Sequence, residues 1–515
     1  MFYNSSNNYE YNDCVSMGAC SISPNISSMQ EVMLVLLRQI AYYLVKLRDL
    51  GINKFNIAND LIRELATVDA VKDLTEAQIL NSFSQEYNNL IAVRKEYLKQ
   101  CKEHNILCSD LKHILKLSPK TKLSEILKMG DKEYLQKYKK ISNSQKYFFE
   151  ILLSTIKSVC LNLITLNDFG SECEEAVNAV LDGLNLFNKN KILSNEIKKM
   201  SQTIAQEDVL LLKLINKAQK EHFGDIKEVE VSHSTTPNKA ILVSGSNLND
   251  LKEVLLAVKD KKIDVYTNGN LLIAHSFPYF KEFACLKGHF GTGVTTNILD
   301  FATFPGAILL TKNEAQNIEY LYRGRLFTTD KIAPKGVAKI KNNDFTPLIN
   351  SALQAKGFAK GQKRSFETVG YSEKYLQEII DKIKSVNPEK IYIIGLSTQP
   401  ISQNEYFKNF YKQITEKDII ITFSYNPHLK NVFAINIGND YAILYGILHK
   451  FLKHIPITSE KLIFFLTKCD VNSFSNIINL KSNGAKNIYL SDCPPTVINP
   501  AVLKAFTKMF DIKQL

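Results

Sequence analysis

Nine cysteines, at positions 14, 20, 101, 108, 160, 173, 285, 469 and 493, are the residues of this 515-residue chain with the most chemistry to offer. Thiolates hold zinc and iron–sulfur clusters, usually four donors at short, regular spacings. No close Cys-x-x-Cys pair occurs, and the odd, scattered set fits reduced thiols in a cytosol. Cys101 and Cys108 are seven apart, two helical turns, which reads as coincidence on a helix rather than a metal clip. Gly288-His-Phe-Gly-Thr-Gly293 has the glycine content of a phosphate cradle at a helix start. Gly357-Phe-Ala-Lys-Gly-Gln-Lys-Arg-Ser365 approaches a P-loop but fails its spacing, with three residues between the glycines and Gln362 ahead of the lysine. A lone histidine such as His275 is more often packed and hydrogen-bonded than catalytic. No Ser-His-Asp arrangement can be assembled.

The elements that must position these groups change character along the chain. Residues from about 28 to 221 read as helical. Val32, Met33, Leu36, Ile40, Ala41, Tyr43, Leu44 and Leu47 form an apolar stripe at three- and four-residue spacing over Met29–Leu50. Gly51 stops that helix. Similar stripes recur at Asn81–Cys101, Tyr147–Asn167 and Asn178–Phe187. Thr75 and Ser144 sit at helix starts, and Thr75-Glu-Ala-Gln78 fits a capping box. This half reads as an all-α region of stacked three-helix bundles. After Pro237, short apolar runs at Ala240–Val243, Ile263–Tyr266, Ala307–Leu310, Ile391–Ile394, Asp418–Thr422, Leu462–Leu466 and Asn487–Leu490 alternate with amphipathic stretches at Leu248–Val258, Glu373–Ser385 and Asn404–Ile414. Strand–helix alternation of this kind predicts two Rossmann-like α/β domains with parallel sheets, divided near residue 370.

Composition bounds the rest. The length predicts two to four domains. A hydrophobic content of 45% is ordinary for a soluble globular protein, and no apolar run reads as long enough to span a bilayer. Met1–Asp13 is polar, lacks basic residues, and is no secretory signal. The net charge of +12 comes from lysines spread along the chain, densest at Lys116–Lys122, Lys132–Lys146, Lys189–Lys199 and Lys360–Arg364. They read as solvated helix faces, so neither a nucleic acid nor a membrane is expected as a partner, and the location expected is the cytoplasm.

Several segments together resemble the hybrid-cluster protein (prismane) family, relatives of the nickel carbon monoxide dehydrogenases. They are Ile241-Leu-Val-Ser-Gly-Ser246, Val265-Tyr-Thr-Asn-Gly-Asn270-Leu-Leu-Ile-Ala-His275, Phe304-Pro-Gly306, Ala307-Ile-Leu-Leu-Thr-Lys-Asn-Glu314, Arg325-Leu-Phe-Thr-Thr329, Lys486-Asn-Ile-Tyr-Leu490 and Ile498-Asn-Pro-Ala-Val-Leu-Lys-Ala-Phe506. The resemblance covers nearly all of residues 236–515 and, less specifically, the helices before them. It implies hydroxylamine or nitric oxide reduction at a mixed iron–sulfur–oxygen cluster. It also implies which positions would ligate that cluster, and there this chain departs from the family. The family's histidine in Val-Ser-Gly-His falls on Ser246, its carboxylate in Thr-His-Gly-Glu on Asn270, and its thiolate in Thr-x-Asn-Cys on Glu314. The next two thiolates fall on Ser397 and Tyr425, and the last glutamate near Leu466. A further cysteine is deleted, since Gly438 runs directly into Asn439-Asp440. At the N-terminus Tyr3 and Ser6 replace the first two cubane thiolates, while Cys14 and Cys20 keep the family's spacing for the second pair. In the family a glycine-rich turn like Gly288–Gly293 stands without binding a nucleotide.

Iron in such clusters is held by thiolates, imidazole and carboxylate. Ser, Asn, Tyr and Leu cannot replace them, and only Glu314 would be anionic at neutral pH. The sequence therefore predicts a degenerate pocket of Ser246, Asn270, His275, Glu314, Ser397, Tyr425 and Leu466, with no cofactor. The alternative is one iron–sulfur cluster shared across a homodimer on Cys14 and Cys20, as in the intersubunit cluster of the dehydrogenase relatives. A hard-ligand metal site on Glu314, Tyr425 and His275 is a weaker alternative. The domain division expected is 1–27 (remnant cysteine segment), 28–235 (helical), 236–370 (α/β) and 371–515 (α/β). The function expected is a non-catalytic or repurposed scaffold, acting as a homodimer or beside an intact paralogue. The competing reading is an oxidoreductase for hydroxylamine or nitric oxide with a modified cluster, drawing on Cys469 or Cys493.

Overall fold

The structure, a computed structural model, describes residues 24–70, 76–116, 121–139, 143–189, 192–291, 297–311, 324–330, 333, 336–395, 409–423, 430–466, 471–490 and 500–514. They fall into two compact units. The first is drawn from Met1–Leu211, Cys469–Ser482 and Pro494–Ile512, the second from Leu212–Lys468, Asn483–Cys493 and Lys513–Leu515.

The first unit is helical. Helix α1 (Pro24–Arg48) carries the predicted apolar stripe, and every member of it is buried. The helix ends where Gly51 adopts φ +78°. The Gly51 N–H donates to Arg48 O at 2.8 Å and the Ile52 N–H to Leu47 O at 2.9 Å, a Schellman closure that satisfies the last carbonyls. Around α1 pack α3 (Glu76–Glu103), α4 (Leu123–Lys139) and α6 (Glu174–Leu186); α2 (Phe55–Ala70) touches both α1 and α5 (Asn143–Asp168). Two C-terminal helices return to this unit and pack on α5, namely α13 (Val471–Ser482) and α14 (Pro500–Phe510). Thr75 lies outside the described residues, as do residues 404–408 of the predicted Asn404–Ile414 helix, of which 409–411 are helical.

A polar seam joins α5, α13 and α7 (Ser194–Phe223) within that unit. Ser158 Oγ and Ser475 Oγ are 2.6 Å apart, Ser475 donates to Asp208, and Asn162 Nδ2 donates to the other Asp208 oxygen at 2.8 Å. One point differs from the sequence expectation. The stretch Lys146–Asp168 is long and apolar enough to cross a membrane by length and composition. Its apolar window is 67% buried against the unit's other helices, so its apolarity is that of a core helix.

The second unit holds two six-stranded, all-parallel sheets and a two-stranded ribbon. The ribbon pairs β1 (Val229–Ser232) with β8 (Phe366–Val369), antiparallel. The first sheet runs β4-β3-β2-β5-β6-β7, built from β2 (Lys239–Ser244), β3 (Ile263–Asn268), β4 (Leu286–His289), β5 (Ala307–Leu310), β6 (Leu326–Thr328) and β7 (Ala338–Lys339). The second runs β11-β10-β9-β12-β13-β14, from β9 (Ile391–Ile394), β10 (Ile419–Thr422), β11 (Val432–Ala434), β12 (Leu462–Leu466), β13 (Asn487–Leu490) and β14 (Lys513–Gln514). Strands buried on both faces need continuous apolar runs, which is why β5, β9, β10 and β12 read as they do and are buried throughout.

Both sheets have the same doubly wound order. Each starts in the middle, winds outward, then reverses, at β2/β5 in one and β9/β12 in the other. Such reversals leave a crevice beyond the carboxyl ends of the strands, where open α/β sheets bind ligands. Between crossovers, α8 (Leu248–Val258) is capped by Asn247, whose side chain accepts from the Asn249 and Asp250 amides. Helix α11 (Glu373–Val386) is capped by Ser372 and stopped by Asn387 at φ +44°.

Candidate functional site at the strand ends

The positions singled out in the sequence lie at, or a few residues beyond, the carboxyl ends of strands. Ser246 follows β2, Asn270 follows β3, and Leu466 is the last residue of β12. Glu314, Ser397 and Tyr425 come shortly after β5, β9 and β10 in the chain and lie outside the described residues, as do Cys14 and Cys20. Ser246 is exposed in the turn before the Asn247 cap. Asn270 is half-buried in the 3-10 segment Gly269–Ser276. Leu466 is 1% exposed, its aliphatic side chain enclosed at the end of β12.

Asn270 meets a residue sequence reasoning did not select. The Asn439 Nδ2 donates to Asn270 Oδ1 at 3.2 Å, across 169 residues of sequence. Asn439 follows Gly438 in the turn after β11, and both adopt left-handed backbone, at φ +61° and +57°. A Cβ at Gly438 would stand 2.9 Å from Ile273 N and 3.0 Å from Asn270 O, so this turn is pressed onto the 3-10 segment. Asp440 then caps α12 (Tyr441–Leu452), accepting from the Ala442 and Ile443 amides, while its other oxygen accepts from Gln219 Nε2 at 2.7 Å.

At the reversal of the first sheet the polar groups satisfy one another. Ser244 Oγ donates to Asn268 Oδ1 at 2.7 Å, and Asn268 Nδ2 donates to Phe290 O and Asp300 Oδ2 at 2.7 and 3.1 Å. Gly291, at φ +101°, makes room for this, since a Cβ there would lie 2.1 Å from Asp300 Oδ2. Thr311 ties β5 to β2 by donating its amide and hydroxyl to Ser244 O. No helix follows Gly357–Ser365; β8 does, so that stretch lacks the helix start a phosphate loop needs.

His275 is not isolated. Thr267 Oγ1 stands 2.9 Å from both His275 Nε2 and His289 Nδ1. A hydroxyl has one proton, so it donates to one ring and accepts from the other. The Gly288 backbone also acts on the His275 ring, favouring its protonated form. Burial drives the His275 pKa down to about 4, with the nearby His233 adding to the effect. Burial likewise holds His289 well below the usual imidazole range, helped by His275 and His233. The His233 and His289 rings meet edge-on at 5.7 Å, and His233 Nε2 lies 3.2 Å from Glu367 Oε2 in the ribbon. Thr267 and His289 carry no motif by themselves; the signal was their place in Val265–His275 and Gly288–Gly293.

The cluster chemistry implied by the resemblance does not fit the residues described. Iron held in such clusters needs thiolate, imidazole or carboxylate donors. Ser246 offers a hydroxyl, Leu466 no donor, and Asn270 a neutral amide whose oxygen already accepts from Asn439. The nearby carboxylates of Asp300 and Asp440 are engaged with Asn268, Gln219 and helix amides.

A helical region followed by two doubly wound parallel sheets defines the class of protein. The chain belongs to the Prismane/CO dehydrogenase family, whose model matches residues 9–424. It is 25% identical to a hydroxylamine reductase of Thermodesulfovibrio yellowstonii, over 98% of this chain and 96% of that protein. It is also 25% identical to a hydroxylamine reductase of Petrotoga mobilis, over 98% and 97% of the two chains. A solved nickel-free structure of carbon monoxide dehydrogenase from Thermococcus sp. AM4 shares 9% identity at a TM-score of 0.47, over 96% of this chain and 84% of that one.

Proposed function

We propose that this chain keeps the prismane frame without its hybrid cluster and serves as a scaffold or binding protein, as a homodimer or beside an intact paralogue in the cytoplasm. The observation that carries this reading is the amide pair Asn270–Asn439. The resemblance puts a carboxylate ligand at the first position and a deleted thiolate beside the second. Here two neutral side chains bond each other, a pairing that leaves neither anion nor soft donor for iron. The frame persists because each sheet still buries its own core, which depends on apolar pattern and not on metal.

The test is iron and acid-labile sulfide per chain on anaerobically purified protein, with a visible spectrum. Essentially no iron is expected. About two irons per chain in a dimer would instead assign one shared cubane cluster to Cys14 and Cys20. Substantially more iron would overturn the reading. Restoring one ligand by Ser246→His is expected to give no hydroxylamine turnover, because a cluster needs its ligands together; measurable turnover would sink the degenerate pocket.

A second reading rests on the near full-length match to two hydroxylamine reductases. It is an oxidoreductase with a modified cluster that recruits other thiolates such as Cys469 or Cys493. The same iron measurement separates the two.

A further inference from the structure

The pair Cys101 and Cys108 does not lie on one helix. Helix α3 ends at Glu103. Asn105 takes φ +53°, the Ile106 N–H donates to Cys101 O at 2.9 Å, and the Asn105 N–H reaches Lys102 O at 3.4 Å. This Schellman closure, with Asn in the left-handed position, reverses the chain over the end of its own helix. The segment that follows is pinned. Tyr97 Oη accepts from the Ser109 amide at 3.1 Å, and Tyr42 Oη donates to Ser109 O at 2.7 Å. Asp110 accepts from Tyr43 and from two nitrogens of Arg94. Gln39 bonds His113 O and the Leu115 amide at 3.1 and 3.0 Å. Cys108 is therefore held beside the last turn of the helix that carries Cys101, between Ile106, bonded to the Cys101 carbonyl, and Ser109, bonded to Tyr97 one turn earlier. Cys101 is 1% exposed; Cys108 is exposed.

We propose that Cys101 and Cys108 form a redox-active dithiol site whose substrate is a low-molecular-weight disulfide. Cys108, the exposed member, attacks one sulfur of the disulfide RSSR as its thiolate and expels RS⁻, leaving a mixed disulfide. Cys101, as its thiolate, attacks the Cys108 sulfur and expels the second RS⁻, which takes up a proton. Two protein thiols are oxidised to one disulfide, and one RSSR is reduced to two RSH. The buried member cannot meet the reagent itself but is placed to resolve the adduct. The closed ring spans residues 101–108 and immobilises the tip that carries Ile106 and Leu107, 45% and 96% exposed. Contact with Cys101 raises the Cys108 pKa, so thiolate is scarce at neutral pH and the exchange quickens as pH rises.

The test uses the full-length chain in oxidised glutathione, with free thiols then trapped by alkylation and the peptides mapped by mass spectrometry. A Cys101–Cys108 disulfide that dithiothreitol reverses is the expected product, with no lasting glutathione adduct at Cys108. Cys101→Ala is expected to accumulate glutathione on Cys108, and Cys108→Ser to leave Cys101 as a free thiol. A persistent adduct at Cys108 in the unaltered chain would overturn the proposal. So would an unreacted Cys108 under conditions that oxidise the same cysteines in urea. Because the unaltered chain is decisive alone, the proposal stands or falls even if a variant fails to fold.

Discussion

Thr267 bridges two buried imidazoles with a single hydroxyl, and burial holds both rings below the usual imidazole range. A base whose folded pKa is depressed binds fewer protons folded than unfolded. For His275, about 4 against an ordinary 6.5, the stability is complete above pH 6.5 and is lost as pH falls towards 4. The size is about 3 kcal/mol. His275→Gln is expected to remove that rise from the curve of unfolding free energy against pH and leave the opposing fall set by Asp208; an unchanged slope would show that the ring is not enclosed. Asp208 behaves in the opposite sense. Burial raises its pKa to about 6 despite bonds from Asn162 and Ser475, so it gains a proton on folding at intermediate pH. Its contribution is present below an ordinary carboxyl pKa and lost as pH rises through about 6, again about 3 kcal/mol. Asp208→Asn can still accept from Asn162 and is expected to raise stability at neutral pH. The two groups titrate in the same window with opposite signs, so the unaltered chain should show less pH dependence than either variant.

At the scale of elements, apolar pattern was legible because burial is a local property. The runs at Ala307–Leu310, Ile391–Ile394, Leu462–Leu466 and Asn487–Leu490 are strands with those bounds. The ribbon of β1 and β8, the short edge strands β7 and β14, and the end of α3 were not legible. Ribbon and edges are short and only partly buried, so they carry little alternation. The end of α3 depends on Asn105 adopting a left-handed backbone, which Asn tolerates but does not announce. Motif glycines have their own element-scale reason. In Phe304-Pro-Gly306, a Cβ on Gly306 would lie 2.0 Å from Ala240 O, where the start of β5 approaches β2. Arg325 reinforces this corner by donating to the carbonyls of Phe301, Phe304 and Gly306. Gly306→Ala is expected to cost about 1–3 kcal/mol, read from a lower urea midpoint, because backbone and not a flexible side chain must yield. A midpoint within error of the parent would show that the corner is looser than described.

For the molecule as a whole, the consequence of two doubly wound sheets is that Ser246, Asn270 and Leu466, which the resemblance equates with ligand positions, stand at or just past strand ends among the described residues. A chain held by its sheets and not by metal should unfold at the same temperature before and after anaerobic chelation. A loss of several degrees on chelation would return the argument to a bound cluster, since structural metal contributes directly to folding free energy. The same comparison, made on the dimer fraction if one is found, bears on Cys14 and Cys20.

The sequence by itself determined the helical first half, the parallel α/β character of the second, the family, and the chemical poverty of Ser246, Asn270 and Leu466. Those are matters of residue type and near-neighbour periodicity. Only the tertiary structure decided that Asn270 faces Asn439, that Thr267 joins His275 to His289, and that Asp208 is buried with Ser475, 267 residues away. It also decided the strand order, and with it the return of the last helices to the first unit. Asn270–Asn439 and Asp208–Ser475 join segments far apart in the chain, and even Thr267 reaches past its own strand, to His275 eight residues on and His289 twenty-two on. No periodicity encodes such contacts, because they are fixed by which surfaces pack once the chain has closed on itself.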